Sequence, residues 1–432
     1  MKTSAAIKTL FSLYNLGWAA AIPLMKRNPR ISDGLTQRML ESELPPKANI
    51  WIQSASAGEA YLTWEILKTL DFTEQITILT TANTRQGLDI LEKAAAEING
   101  LDGSLHVSAR FSPFDQPVLM EKAVKSVNPS LMVLVELEIW PGLLKSLKDN
   151  GCHVLIVNGR LTERSLKRYL MVPCLWKLLA PASVCAMSDD DAARFRILFP
   201  ESRVTTVPNI KFDRVPLCAG SEAHDEENPL NGLVEHGKPL IVLGSVREEE
   251  EESVGNIIEK ITTDLPETRI FLFPRHMHRL EAWAARLSAM GSDFALRSRI
   301  TSERPQVALW DVFGELTFAY KLAHAAFIGG SLAPLGGQNF LEALACGVIP
   351  VTGPSWTNFT WVGQGIVEKG LLDMGIDWNA VAEKLIRHAM NPMERVKVKT
   401  MTDEYLLPLR GGTEAVCREI KKMHSGSEQC GH

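Results

Sequence analysis

From Asn49 onward, short apolar runs alternate with amphipathic stretches. Ile50–Ser54 and Ile76–Thr81 read as strands, and helices are predicted over Gly58–Leu70 and Thr84–Glu97. Leu131–Val135 and Val154–Val157 continue the series, with Trp140–Lys148 helical between them. Strands alternating with helices predict a parallel, doubly wound sheet whose active residues gather at strand C-termini. Cys218–Gly237 is acidic and contains Gly, Pro and Asn, so it reads as a linker. The pattern restarts with Leu240–Leu243, a helix from about Glu249, then Ile270–Phe273, Val307–Leu309, Ala325–Ile328 and Val348–Thr352. The expected fold class is α/β, with two Rossmann-like doubly wound domains facing a central cleft. The expected divisions are a first segment 1–30, a domain 31–217, a linker 218–237, a second domain 238–424 and a frayed tail 425–432.

A chain of 432 residues suits more than one domain, and 45% hydrophobic with 22% charged residues is globular composition. A net charge of −5 argues against a dedicated nucleic-acid binder. The seven cysteines are scattered, without CxxC spacing, and suggest a reducing compartment with neither zinc site nor disulfide frame. Met1–Met25 is mostly apolar but interrupted by Lys8, Asn15 and Pro23, and Lys26–Arg30 follows as a basic cluster. An interfacial anchor fits this pattern, with Tyr14 and Trp18 at headgroup level and the basic cluster on anionic lipid. The alternatives are a membrane span, for which the run is short and broken, and a first helix packed on the body of the protein.

Chemistry-bearing residues recur at the predicted strand ends. After Ala325–Ile328, Gly329-Gly330 opens a glycine-rich loop, Ser331–Gly337, and Gln338–Ala345 begins a helix. Strand, loop and helix start together suit an anion, since free N–H groups and the helix dipole point the same way; they equally suit an ordinary βαβ turn. Glu342, three residues after Asn339, is placed to accept hydrogen bonds from a ribose. Glu59, in the first turn of its helix, is favoured in its ionised form and is either a general base or a charge complementing the helix end. Glu136 and Glu138 follow the buried strand Leu131–Val135 and point in similar directions if the chain stays extended. Lys211 reads either as a group neutralising negative charge or as the salt-bridge partner of Asp213. Arg275, after Ile270–Phe273, suits a phosphate or carboxylate through its planar fork. Phe313-Gly314-Glu315 is a loop-to-helix junction able to meet a base or ribose. Glu248–Glu252 reads as a solvated, dipole-matched helix end, and no spacing here indicates a metal site.

Taken in order, SASAGE (54–59), ELEIWP (136–141), NGRLTERS (158–165), NIKFDR (209–214), FPRH (273–276), FGEL (313–316) and GGSLAPLGGQNFLEA (329–343) resemble the 3-deoxy-D-manno-octulosonic acid (Kdo) transferases, enzymes of the GT-B glycosyltransferase fold. The resemblance implies transfer of Kdo from CMP-Kdo to a lipid A precursor, with inversion, without a cofactor and without a metal at the transfer step. It places Glu59 as the general base and Glu136 and Lys211 as stabilisers of the transition state. It places Pro274, Arg275, Phe313, Gly314, Glu315, Asn339, Phe340, Leu341 and Glu342 on the CMP-binding positions. It also implies the inner face of the cytoplasmic membrane as the location. The alternative is another GT-B nucleotide-sugar transferase or epimerase with a different donor. Departures from the family pattern are Gln338 in place of His, Phe340 in place of Pro, Glu249 in place of Gly, and Leu35-Thr36-Gln37-Arg38 where a GER stretch is usual.

Overall fold

The structure is a computed structural model that describes residues 5–25, 32–101, 103–215, 228–235, 237–301 and 304–429. The described chain forms two compact units, Met1–Arg214 with Leu409–His432, and Val215–Pro408. This division differs from the expected one at the C-terminus, because the last helix belongs to the first unit. Much of the expected linker 218–237, and the basic cluster Lys26–Arg30, fall outside the described residues.

In the first unit seven parallel strands are ordered β3-β2-β1-β4-β5-β6-β7. They are β1 Ile50–Ser54, β2 Ile76–Ala82, β3 Leu105–Phe111, β4 Leu131–Val135, β5 His153–Gly159, β6 Ser183–Ala186 and β7 Arg203–Thr206. β1 pairs with β4 in register Ile50 to Leu131 through Gln53 to Leu134, and chain order reverses at this pair. The pattern of β4 shows why its five residues are all apolar. Leu131, Val133 and Val135 pack into one layer with Ile50 and Ile52, while Met132 and Leu134 pack into the other with Trp51. Helices cover both faces, so neither tolerates polar positions.

The helix Gly412–Gln429 supplies Val416, Cys417 and Ile420 to the Ile50 layer, and His424 Nδ1 lies 3.1 Å from Ser130 Oγ. The expected tail from 425 is therefore helical up to Gln429. Asp213 fixes the entry of this helix. Its carboxylate accepts from Gly411 N, Thr413 N and the Thr413 hydroxyl.

The N-terminal helix, Ala5–Met25, buries Phe11 against the Met132 side of the sheet, and Ile22 is buried as well. Tyr14 and Trp18 do not face outward as an interfacial anchor would require. Tyr14 donates to Asp115 at 2.8 Å, and Trp18 stacks on Phe114. Aromatic packing on the protein is available to both rings and outcompetes exposure. Leu10, Leu13, Leu16 and Leu24 remain exposed. Among the described residues no helix is long and apolar enough to cross a membrane.

The second unit repeats the architecture, with strands ordered β10-β11-β9-β8-β12-β13-β14, all parallel. These are β8 Leu240–Val246, β9 Arg269–Pro274, β10 Phe294–Leu296, β11 Val307–Leu309, β12 Ala325–Ile328, β13 Pro350–Thr352 and β14 Asp373–Met374. Its order reverses between β8 and β12, so the loops after these two strands flank this unit's own switch point.

Candidate active site

In the first unit the loops leaving β1 and β4 bring three carboxyls together, and the turn Ile210–Phe212 adds one ammonium to the group. Ser56 caps the helix Ala57–Thr69 by accepting from Glu59 N, and returns its own hydroxyl proton to Glu59 Oε1 at 3.0 Å. Ala55 N donates to Glu59 Oε2 at 2.6 Å. This reciprocal capping holds the Glu59 carboxyl at the C-terminal edge of the sheet. Burial pushes its pKa up to about 7, the Ala55 N–H opposes that, and the negative charges of Glu138 and Glu136 raise it further. The sequence suggested that the helix dipole would keep this group ionised. Desolvation and two like charges outweigh the helix end.

Glu136 leaves β4 with φ 58°, in the left-handed region that a non-glycine residue rarely occupies. The turn sends Glu136 and Glu138 apart, where extended chain would have aligned them. Glu136 Oε1 meets Lys211 Nζ at 2.7 Å in a half-buried ion pair. Glu138 Oε2 accepts from Asn83 Nδ2 and Trp140 Nε1. The Lys211 partner is thus Glu136, and Asp213 is occupied at the C-terminal helix. Two asparagines hold the turn Ile210–Phe212 that presents Lys211: Asn158 Oδ1 accepts from Ile210 N, and Asn209 Oδ1 from Lys211 N. Asn158 is fully buried at φ 50°. Asn83 carries no spacing signal in the sequence, and Asn158 opens the NGRLTERS stretch without pointing to this role.

In the second unit the glycine-rich loop after β12 behaves differently from the expected anion site. Gly330 N, Ser331 N and Leu332 N all donate to the carboxylate of Glu250, which also accepts from Arg247 N. Glu250 is 1% exposed, and burial pushes its pKa up against those four hydrogen bonds. The acidic run at Glu248–Glu252 is therefore not simply a solvated helix end. One of its members fills the cradle of loop N–H groups, and Glu251 forms a two-pronged pair with Arg279. Gly329 is required here, since a Cβ on it would lie 2.4 Å from Ser245 O.

The residues expected to bind a nucleotide separate into two kinds. Arg275 is exposed directly after β9, Phe313 is 80% exposed, and Asn339 and Glu342 are exposed and joined by a 2.8 Å hydrogen bond. Gly314, at φ 85°, shapes the junction that presents Phe313. Pro274, Phe340 and Leu341 are buried, Phe340 beside Trp356 and Phe359, so their side chains belong to the core. Glu315 is committed to both prongs of Arg297 and to Trp310 Nε1. The helix after the loop is a single turn, Leu341–Ala345, shorter than the pattern suggested.

Residues 28–214 match the family model described as 3-deoxy-D-manno-octulosonic-acid transferase (kdotransferase). A 3-deoxy-D-manno-octulosonic acid transferase of Haemophilus influenzae is 28% identical over 92% of this chain and 93% of its own length. One from Bordetella pertussis is 28% identical, covering 81% of this chain and 83% of that protein. Among solved structures, the UDP-GlcNAc 2-epimerase of Neisseria meningitidis superposes with TM-score 0.56 at 11% identity, over 86% of this chain and 99% of that one. That likeness concerns the fold, the two-sheet GT-B architecture. Ordered motifs, paired doubly wound sheets and relatives aligned over most of their length agree: the chain is similar to 3-deoxy-D-manno-octulosonic acid transferases, and residues 28–214 match the model of that family.

Proposed function

We propose that the protein is an inverting glycosyltransferase that moves Kdo from CMP-Kdo to a hydroxyl of a lipid A precursor in lipopolysaccharide core biosynthesis. The observation that carries this reading is Glu59, a carboxyl with pKa about 7 held beside the Glu136–Lys211 pair at the switch point of the first sheet. A base poised near the working pH combines a useful ionised fraction with proton affinity. As the acceptor oxygen forms its bond to the anomeric carbon, its proton passes to Glu59. The bond from that carbon to the CMP phosphate breaks, and its electron pair leaves with CMP. Lys211, oriented by Glu136, offsets the negative charge that develops. Arg275, Phe313, Asn339 and Glu342 are the exposed side chains available to CMP, while Pro274, Gly314, Glu315, Phe340 and Leu341 shape the backbone that presents them. The exposed leucines of the N-terminal helix suit a peripheral position on the cytoplasmic face of the inner membrane.

The test is product mass after incubation with CMP-Kdo and a tetra-acylated lipid A precursor. The expected result is a gain of one or more Kdo units on the acceptor, abolished in Glu59→Gln. An unchanged acceptor overturns the reading. Protection from thermal unfolding by UDP but not CMP would then redirect it to another nucleotide-sugar reaction.

A further inference from the structure

A concavity of ≈ 200 Å³ lies beneath the N-terminal helix, within the first unit. Its walls are mainly apolar, with Trp18, Phe114, Met120 and Trp140 among them, and Arg38 is the cation in its lining. The guanidinium is unusually placed. The residue is 5% exposed, stacked over the Phe111 ring, and bonded through Nε to Asp33 O and Nη2 to Asn83 O. Among the described residues it forms no ion pair, because the Asp33 carboxylate is taken by both prongs of Arg85. Among the described residues its Nη1 has no acceptor, yet it is not one of the enclosed unpartnered atoms. A charge kept largely out of water without a counterion is costly unless a ligand supplies one. The acid in the same lining, Asp115, has its oxygens engaged by Tyr14 and by the N–H groups of Gly142 and Leu143. It does not neutralise Arg38.

The pocket also adjoins the proposed chemistry. Two of its lining residues, Asn83 and Trp140, hold Glu138, whose charge acts on Glu59. We propose that this pocket binds an anionic amphiphile, with an acyl chain against Trp18, Phe114 and Met120 and a phosphate on Arg38 Nη1. The inference deepens the proposed transfer and rests on it for the identity of the amphiphile as the acceptor. An apolar cavity with one directional charge is the usual form of such a site. The N-terminal helix then forms a wall of the acceptor site.

Calorimetric titration of the full chain with dodecyl phosphate, dodecyl maltoside and inorganic phosphate tests this. Dodecyl phosphate is expected to bind once per chain, and Trp18→Ala and Arg38→Gln to weaken it by about tenfold each. The maltoside should bind about tenfold more weakly than dodecyl phosphate, and inorganic phosphate should give no measurable heat. Equal binding by parent and Trp18→Ala, or equal binding of the two detergents, overturns the proposal. Trp18→Ala decides alone if Arg38→Gln does not fold. In the transfer assay Trp18→Ala should raise KM for the tetra-acylated acceptor while leaving KM for a deacylated acceptor unchanged. If the parent transfers nothing, the proposed reaction fails, while the titration still decides the pocket.

Discussion

The Glu59 carboxyl is raised because burial and the charges of Glu138 and Glu136 outweigh its hydrogen bonds from Ala55 and Ser56. Its ordinary value is 4.5, so between that pH and about 7 the folded chain keeps a proton that the unfolded chain releases. The stability tied to this proton is fully present below 4.5 and is lost as pH rises through about 7. The gap corresponds to about 3 kcal/mol. Glu59→Gln should therefore resist urea at pH 8 at least as well as the parent, with the advantage shrinking toward pH 4.5. Its transfer rate should fall by about 10²–10⁴. For the parent, kcat/KM should rise with pH and level off above about 7. An acid limb near pH 4 would remove Glu59 as the titrating base. Lys211→Met and Glu136→Gln should each lower kcat, and the double variant should lose much less than the sum, because either change breaks the same 2.7 Å pair.

Short elements in both units are held by single acids reaching far along the sequence. Asp213 gathers the entry of the last helix, so Asp213→Ala should destabilise the first unit by about 1–2 kcal/mol in urea unfolding. Deleting residues 412–429 should do far more, exposing the layer completed by Val416, Cys417 and Ile420. A soluble, cooperatively unfolding truncation would contradict that packing. Glu250 plays the corresponding part after β12. Glu250→Ala would orphan the N–H groups of Gly330, Ser331 and Leu332, at a cost of at least about 3 kcal/mol to the second unit. Hydrogen exchange should speed up first at those three amides. The loop was legible in the sequence as glycine-rich, but the carboxylate filling it was not, since the partners are 80 positions apart.

At the scale of the chain, two doubly wound sheets of seven strands explain why functional motifs recur at strand ends in both halves. β1, β4 and β12 lie where the apolar runs placed them. β7 is largely exposed and β10 only half-buried, and neither carried a comparable apolar run. The expected second domain ran to residue 424, whereas the final helix packs on the first unit, a docking decided by the surface it covers. The N-terminal helix shows the same limit. Its composition suggested lipid for Tyr14 and Trp18, while Asp115 and Phe114 claim them in the fold.

The sequence by itself determined the central strands of both sheets, the two-part α/β architecture, the likeness to 3-deoxy-D-manno-octulosonic acid transferases, and Glu59, Glu136 and Lys211 as the residues to watch. These follow from local periodicity and from ordered motifs, which need no knowledge of distant neighbours. Only the tertiary structure decided which charges meet. It paired Lys211 with Glu136 across 75 positions, sent Asp213 to the last helix and Glu250 into the loop after β12, and left Arg38 without a counterion among the described residues. Hydrophobic periodicity is written along the chain, whereas electrostatic partnership depends on burial and on separations of a few ångströms that exist only once the sheets have formed.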